Sequence, residues 1–303
     1  MSFKIQNELS EDQVEADVAS YLGYITPFWS HRFRLLSVDE GSTGADKLFN
    51  RFIPIFMQFK VPQGLNPNAT ILQQFLNKPL SKIIQYRKTK NLTGNPILYF
   101  QLRKKAKNAE EFQHNLLLQM HKPPFQYGLY VAPLTLELKE YEKLMNKKSA
   151  WYPRFYSPLR HEEMDLIDSS LDKRMSIRTN SFLRHHICFP PHQKTDSHEH
   201  HYSFSKNGAD LAWHGGYVIN GDLRMSTAID NIFTSFYSYR ESRVDFVRFI
   251  ENLRDLDLKD MPIFDNEDLN NEERLITYIV EVTQYLKEVH QIKLMFLIEE
   301  RRR

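Results

Sequence analysis

Apolar and polar positions recur along the chain with two different periods, which predict a protein of mixed helices and strands. The spacing of residues 10–25 predicts a helix, because Ser10 is a favourable N-cap and apolar residues recur every three or four positions. Alternation and short apolar runs predict strands at 31–38, 46–52, 55–61, 96–102 and 127–132. Further helices are predicted at 69–90 (with a break or restart at Pro79), 109–121 and 136–147. Strands that alternate with helices favour an α/β core built on a mixed sheet.

The pattern changes after residue 150. Residues 151–225 are predicted to be irregular, with strand-like runs at 185–189 and 202–204. Helices are predicted at 229–253 and 272–298, and the polar stretch 255–271 is predicted to be a loop. We therefore expect a domain over 1–150 and a mixed, largely helical region over 151–303, which would contact substrate, a partner or a second copy.

Composition narrows the class of protein. The 303 residues are 41% hydrophobic and 26% charged, which is ordinary for a folded protein. No apolar run approaches the roughly 20 residues of a membrane span, and the N-terminus lacks the apolar core of a signal peptide. The single cysteine, Cys188, fits a reducing compartment. We expect a cytoplasmic protein with no membrane contact.

Charge is nearly balanced at +2, so nucleic-acid binding would need local basic clusters. Two such clusters follow the predicted third strand, and their members are Lys82, Arg87, Lys88 and Lys90, then Arg103, Lys104, Lys105 and Lys107. They are candidate contacts to nucleic acid. Ordinary surface charge is the alternative.

Two short polar segments interrupt the predicted strands, Gly44-Ala45-Asp46 and Gln58-Phe59-Lys60. A lysine inside an apolar run loses hydration that another interaction must offset. Strand alternation puts Gln58 and Lys60 on one face. A chain reversal near Phe52 would set Asp46 opposite residues 58–60 in an antiparallel hairpin. The pattern therefore predicts that a carboxylate, an amide oxygen and an ammonium group converge.

This combination indicates metal-dependent chemistry on phosphates. Phosphodiester hydrolysis uses a divalent cation held by oxygen ligands, with a further cation near the water or the leaving group. We expect Asp46, Gln58 and Glu15 to hold Mg²⁺ or Mn²⁺, with Glu11 one turn from Glu15, and Lys60 to act on the water or the developing charge. The alternatives are a buried ion pair between Asp46 and Lys60 and a solvent-facing Glu15.

The order of these residues resembles the PD-(D/E)xK nuclease superfamily, which includes restriction and Mrr-like enzymes. The family pattern is a helix bearing a glutamate, a strand meander carrying an aspartate, and (D/E)-x-Lys on the next strand; Glu15, Asp46 and Gln58-x-Lys60 follow it in order. Gln58 departs from the pattern, because an acid is commonest there and a neutral ligand weakens metal binding. The resemblance covers residues 10–135. It is closest to bacterial defence-type proteins, whose motifs stand here as Gly44-Ala45-Asp46, Gln58-Phe59-Lys60, Gln113-His114 and Tyr130-Val131-Ala132-Pro133.

The resemblance implies a restriction-endonuclease-like mixed sheet flanked by helices and a Mg²⁺- or Mn²⁺-dependent endonuclease acting on nucleic acid, DNA in preference to RNA. It also implies a role in defence against foreign DNA, with a homodimer or a partner protein of a defence operon. Gln113 and His114 would touch the substrate phosphate; polar groups on a helix surface are the alternative. A different class also fits: a non-catalytic nucleic-acid-binding, regulatory or scaffold subunit that keeps the nuclease fold.

Histidines are concentrated between residues 185 and 214. This range holds seven of the 12, namely His185, His186, His192, His198, His200, His201 and His214. Imidazole and thiolate are zinc ligands, and His198-x-His200 offers a clip for a metal, but there is no Cys-x-x-Cys pair. A polar loop that enters a strand is the alternative. Cys188 lies in an apolar run with no evident base, which argues against a nucleophile.

Overall fold

The structure, a computed structural model, describes residues 3–25, 32–35, 52–69, 78–92, 94–105, 107, 109–145, 165–169, 172–214, 216–238, 244–256, 258, 261–264 and 271–298. The helices of these residues are α1 (Glu11–Ile25), α2 (Pro79–Thr89), α3 (Gln113–Gln119), α4 (Leu138–Met145), α5 (Ser181–Arg184), α6 (Met225–Ser238), α7 (Phe246–Arg254) and α8 (Glu272–His290). The strands are β1 (Lys4–Ile5), β2 (Arg32–Leu35), β3 (Phe52–Phe59), β4 (Gln63–Leu65), β5 (Ile97–Gln101), β6 (Tyr127–Pro133), β7 (Asp165–Ser169), β8 (Asp172–Ser176), β9 (His186–Phe189), β10 (His201–Ser205), β11 (Asp210–Trp213), β12 (Tyr217–Asn220) and β13 (Lys293–Ile298).

The strands form two main sheets, which confirms the α/β class. One sheet has the strand order β1-β4-β5-β10-β11-β12, and all its pairs are antiparallel. The other has the order β2-β13-β3-β6-β9 and is mixed, because β3 and β6 run parallel while its other neighbours are antiparallel. Strands β7 and β8 pair with each other as a separate ribbon.

Strand β3 is the centre of the mixed sheet and is buried along its whole length. Ile53, Ile55 and Met57 belong to a core that also contains residues of α1. Phe52 and Phe56 belong to a second core, which contains residues of α3, α7 and α8. An apolar run without polar alternation is therefore the pattern that this strand needs, because both of its faces are covered.

Helix α1 confirms the helix predicted for residues 10–25. The Ser10 hydroxyl accepts a hydrogen bond from the Gln13 amide at 3.1 Å, which caps the helix. Glu11 and Asp12 occupy the first turn, where acids complement the helix dipole. Val14 and Val18, one turn apart, are fully buried in the core beneath β3. The cap and the apolar stripe thus place the acidic first turn at one end of the sheet.

Helix α3 packs directly on β6. A Cβ atom at Gly128 would lie 2.1 Å from the carbonyl oxygen of Leu117, so only glycine allows this approach of helix and strand. The close contact brings the start of α3, with Gln113 and His114, over the mixed sheet.

The C-terminal helix predicted for residues 272–298 is wrong in its last part. Helix α8 ends at His290, Gln291 has a positive φ of 51°, and the chain continues as β13. Leu294 and Phe296 enter one core while Met295 and Leu297 enter the other. A short apolar run that is buried on two faces has no periodicity to distinguish a strand from a helix, which explains the error.

The chain reversal predicted near Phe52 is wrong, because residues Phe52–Phe59 form one continuous strand. Strand β13 pairs antiparallel with one edge of β3, from Phe52 to Met57. The other edge of β3 is paired with β6 from Ile55 to Phe59. Asp46, with nearly all of the strand predicted for 46–52, lies outside the described residues. Both sheets combine strands from either side of residue 150, so the predicted division does not separate them.

Two further expectations for the C-terminal region are wrong. Residues 151–225 are not irregular throughout: strands β9 and β10 confirm the two predicted runs, while β7, β8, β11 and β12 were missed. The helix predicted for 229–253 is two helices, α6 and α7. Between them Val244 forms an antiparallel bridge to Phe52, which the helical spacing alone could not anticipate.

We predict that Phe296→Ala destabilises the whole fold. Phe296 is 0% exposed, and its ring lies 4.7 Å from that of Phe52 and 5.6 Å from that of Phe249. Removing a buried phenyl ring costs about 3–5 kcal/mol in unfolding free energy, measurable by urea denaturation. Ile263→Ala is the control, because Ile263 is 97% exposed. Equal stabilities of the two variants would contradict the central position of β13.

Candidate functional site

Lys60 lies directly after β3 and is buried, with 6% of its surface exposed. Its backbone amide donates to the carbonyl of Val131 at 2.8 Å, which ties it to β6. Its Nζ lies 3.5 Å from Oε1 of Glu11, in the first turn of α1. Burial lowers the pKa of Lys60; Glu11 opposes this shift, and the positive charge of Arg103 adds to it. The expectation of a buried lysine is confirmed, and its partner is Glu11.

Gln58 is 1% exposed and contacts a different helix. Its Nε2 donates to Oε1 of Gln113 on α3, and Nε2 of Gln113 donates to the carbonyl of His290 at the end of α8. Within the described residues, Oε1 of Gln58 is buried without a hydrogen-bond partner. Gln58 therefore contacts α3 while Lys60 contacts α1, although strand alternation predicted that the two side chains lie on one face. Strand β3 ends at Phe59, between the two residues.

Glu15 is paired with a residue that the sequence did not reveal. Its Oε1 lies 2.7 Å from Nζ of Lys293, and both side chains are largely buried. Lys293 is the first residue of β13 and is paired with Met57 of β3. The alternative of a solvent-facing Glu15 is wrong. A lysine at the start of a buried apolar run was the available signal, but the run was assigned to a helix.

The end of β3 thus has two glutamates on α1 and two lysines on the sheet. Each glutamate lies beside one lysine, Glu11 beside Lys60 and Glu15 beside Lys293. Asp46, the carboxylate expected opposite residues 58–60, lies outside the described residues. Across the described ranges there is no cluster of three or more His, Cys, Asp or Glu side chains that could hold a metal ion.

Gln113 and His114 are buried, so the alternative of polar groups on a helix surface is wrong for both. Nε2 of His114 donates to the carbonyl of Gln193 at 2.8 Å, and its Nδ1 lies 3.0 Å from the Tyr130 hydroxyl. Burial lowers the pKa of His114 to about 4, which keeps the ring neutral. A contact between these residues and nucleic acid stays a prediction; their hydrogen bonds here are internal.

The basic clusters divide into buried and exposed members. Arg87 is buried, and its Nη2 lies 2.6 Å from Oδ1 of Asp210 on β11. This ion pair joins α2 to the antiparallel sheet, so Arg87 offers no surface charge. Lys82, Lys88, Arg103 and Lys104 are exposed and remain candidate contacts.

Several of the histidines between residues 185 and 214 pack against other aromatic side chains or bond to carbonyl and hydroxyl groups. Nδ1 of His186 lies 3.0 Å from the Phe182 carbonyl, and Nε2 lies 3.3 Å from the Tyr141 hydroxyl. His192 and His200 both lie against Trp213. Burial raises the pKa of Cys188 to about 12, so this buried thiol stays protonated, as expected of a residue that is not a nucleophile.

Comparisons with known proteins assign no family to this chain: no family model matches it, and neither a curated protein nor a solved structure is significantly similar to it. Within the described part of the chain, no helix is long and apolar enough to cross a membrane.

We predict that acid destabilises the protein through its buried histidines. Burial lowers the pKa to about 4 in five of them, His114, His186, His192, His214 and His290. The same groups titrate near 6.5 when unfolded, so the unfolded chain binds more protons between these values. The unfolding free energy should fall as the pH is lowered from about 6.5 to about 4, by up to about 1.4 kcal/mol per pH unit for each group.

Urea denaturation at a series of pH values measures this dependence. His186→Gln should flatten it, because one buried imidazole is removed, whereas His198→Gln, in a half-exposed loop position, should not. Stability that is constant or rises on acidification would contradict the neutral, buried state of these rings.

Proposed function

We propose that the chain is a metal-dependent phosphodiesterase, an endonuclease that acts on nucleic acid, with DNA preferred to RNA. The observation that carries the proposal is the burial of Lys60 at the end of a central strand, beside the Glu11 carboxylate of α1. A desolvated ammonium group is costly unless a negative charge comes close to it. Glu11 supplies one such charge at 3.5 Å and is 44% exposed, so an incoming phosphate has access to the same side.

The topology around β3 supports a restriction-endonuclease-like fold as part of this proposal. Helix α1 carries the glutamates and packs on one face of the mixed sheet. Strands β3 and β6 run parallel, and the connection between them includes α3. A glutamate-bearing helix and a mixed sheet whose central strand leads into Gln58-x-Lys60 are features that the family resemblance implies.

The donor atoms fit a hard divalent cation in kind. Oε1 of Gln58 is a buried oxygen that lacks a partner in the described residues, and such an atom is available as a ligand. Glu15 pairs with Lys293 on the face of the sheet that α1 covers, whereas Gln58 faces α3, so Glu15 would reach this metal only around the end of β3. Asp46 is the further carboxylate that the proposal requires. Mg²⁺ or Mn²⁺ held by these groups would polarise the phosphate and lower the pKa of a bound water.

Three charged side chains near the metal would then have separate roles. The ammonium group of Lys60 would stabilise negative charge that develops on the phosphate oxygens, an interaction that gains strength in a site with little water. Glu11 would hold Lys60 in place. Lys293 would neutralise Glu15 until the metal binds. Defence against foreign DNA, and a homodimer or partner protein that aids double-strand cleavage, complete the proposal.

A second candidate is a non-catalytic nucleic-acid-binding or regulatory subunit with the same fold. The specific observation in its favour is that the site is electrically balanced without a metal: Glu15 is bound by Lys293 at 2.7 Å, and Gln58 is a neutral side chain bound to Gln113. A protein that has lost metal binding would retain such internal pairs.

We predict that Lys60→Ala and Asp46→Ala each abolish nucleic-acid cleavage. The wild type is incubated with Mg²⁺ or Mn²⁺ and plasmid, single-stranded DNA or RNA. Loss of the Lys60 charge, which stabilises the transition state, or of the Asp46 carboxylate, which holds the metal, should each lower the rate about a hundredfold or more. Lys139→Ala, an exposed lysine on α4, is the matched control and should cleave at the wild-type rate.

Thermal melting of each variant shows whether a loss of activity comes from a change at the site or from unfolding of the protein. If the wild type binds DNA but leaves every substrate as intact as Lys60→Ala does, the enzymatic proposal falls. Binding that is also insensitive to Asp46→Ala then supports the non-catalytic subunit.

We also predict that Gln58→Glu makes stability depend on the metal. A carboxylate at this buried position should lower the unfolding free energy by about 2 kcal/mol or more in EDTA, because nothing offsets its desolvation. Mg²⁺ should restore stability, since a ligand that binds the folded state stabilises it. Gln119→Glu, an exposed position on α3, is the control. Equal melting temperatures of Gln58→Glu with and without Mg²⁺ would argue against a metal at Gln58.

A further inference from the structure

An aromatic row crosses the antiparallel sheet far from Lys60 in sequence. Four aromatic residues are paired directly across neighbouring strands: Phe100 on β5, Tyr202 on β10, Trp213 on β11 and Tyr217 on β12. Residues paired in this way point to the same face of a sheet. The first three are buried, whereas Tyr217, on the last described strand of the sheet, is 50% exposed. The row therefore runs from the core to the surface.

Histidines cover the exposed end of this row. His192 is stacked on Tyr217, with ring centroids 5.0 Å apart and an interplanar angle of 14°. The same imidazole meets Trp213 edge to face at 4.7 Å. His200, half-exposed, is stacked on Trp213 at 4.8 Å. His192 covers one face of the Tyr217 ring, and half of the Tyr217 surface remains exposed.

Two polar atoms within this cluster lack partners in the described part of the chain. They are Nε1 of Trp213, an indole donor, and Nε2 of His192. Trp213 is 1% exposed, and a buried indole N–H normally finds an acceptor. The described residues thus leave one indole donor and one imidazole nitrogen, both in residues that contact or pair with Tyr217, without a hydrogen bond.

Positive charge borders the same end of the sheet. The backbone of Leu102 donates to the His200 carbonyl at 3.0 Å, so the segment after β5 runs beside His200. That segment continues with three exposed cations, Arg103, Lys104 and Lys105. Two exposed acids, Asp196 and Glu199, lie on the neighbouring loop, which leaves a positive excess. The charge of Arg103 also acts on Lys60. The inner end of the row reaches the candidate site by contact, because the rings of Phe100 and Tyr130 are 5.5 Å apart and Tyr130 is paired with Gln58.

We propose that the outer end of this row, Tyr217 with His192 and His200, is a stacking site for unpaired bases of single-stranded nucleic acid, whose phosphates follow Arg103 and Lys104 toward Lys60. Aromatic rings bordered by cations are the combination that binds single strands without sequence preference, because every base has a flat face. The inference deepens the proposed function, on which the choice of ligand rests. It specifies unpaired bases, rather than an intact duplex, as the ligand of this surface.

Fluorescence anisotropy with a labelled oligothymidylate of about 20 nucleotides, in EDTA so that no cleavage occurs, tests the proposal. Tyr217→Ala should weaken binding roughly five- to hundredfold, the usual effect of removing one stacking ring. Tyr217→Phe should bind like the wild type, because the ring face is kept. Ile263→Ala, which truncates another exposed apolar residue, should leave affinity unchanged.

The salt dependence provides a second measurement. Lys104→Ala should reduce the slope of log affinity against log salt by about 0.7, the contribution of one phosphate contact on a single strand. Lys139→Ala should leave the slope unchanged. A blunt duplex of the same sequence should bind more weakly than the single strand, and its binding should be insensitive to Tyr217→Ala.

The outcomes separate this inference from the proposed function. Cleavage that depends on Lys60, together with single-strand binding that Tyr217→Ala leaves intact, overturns the stacking site alone. Binding that depends on Tyr217 in a protein that cleaves no substrate supports the stacking site and overturns the enzymatic proposal. A folded wild type that binds no oligonucleotide overturns the stacking site as well.

Discussion

The burial of β3 on both faces and along both edges is the constraint on which the rest of the structure depends. Its eight residues are all buried, with β13 on one side and β6 on the other. Each face needs an apolar cover, and α1 supplies one while α3, α7 and α8 supply the other. The helices that cover the strand are therefore the same elements that bring polar side chains to its end.

Polar side chains gather at the end of β3, where its apolar run stops. Lys60 leaves the strand and reaches Glu11, while Gln58 reaches Gln113 and through it the end of α8. Glu15 and Lys293 complete the arrangement with a second ion pair. Two positive and two negative groups balance one another here, and the buried oxygen of Gln58 that has no partner among the described residues distinguishes this end from an ordinary ion-pair network.

Local patterns along the chain were sufficient for much of the N-terminal half. Helix α1, with its cap and stripe, and strands β5 and β6 lie where periodicity put them, whereas β3 begins at Phe52, where a chain reversal was predicted. The burial of Lys60 followed from its apolar neighbours. Arg87 shows the limit of this reasoning, because a basic residue on a polar helix carries no sign that Asp210, more than 100 positions away, will bury it. Partners distant in the chain leave no local pattern.

Which segments are buried, and which residue types stand at their ends, follows from local sequence, since hydrophobicity and helix capping act over a few neighbouring residues. Which strand lies beside which is a property of the folded chain. The fold placed the segment after α8 against β3 as a strand, made Lys293 the partner of Glu15, and aligned Phe100, Tyr202, Trp213 and Tyr217 in one row. The physical reason is that strand order and register are set by long-range pairing of the backbone, which any apolar run of suitable length can satisfy.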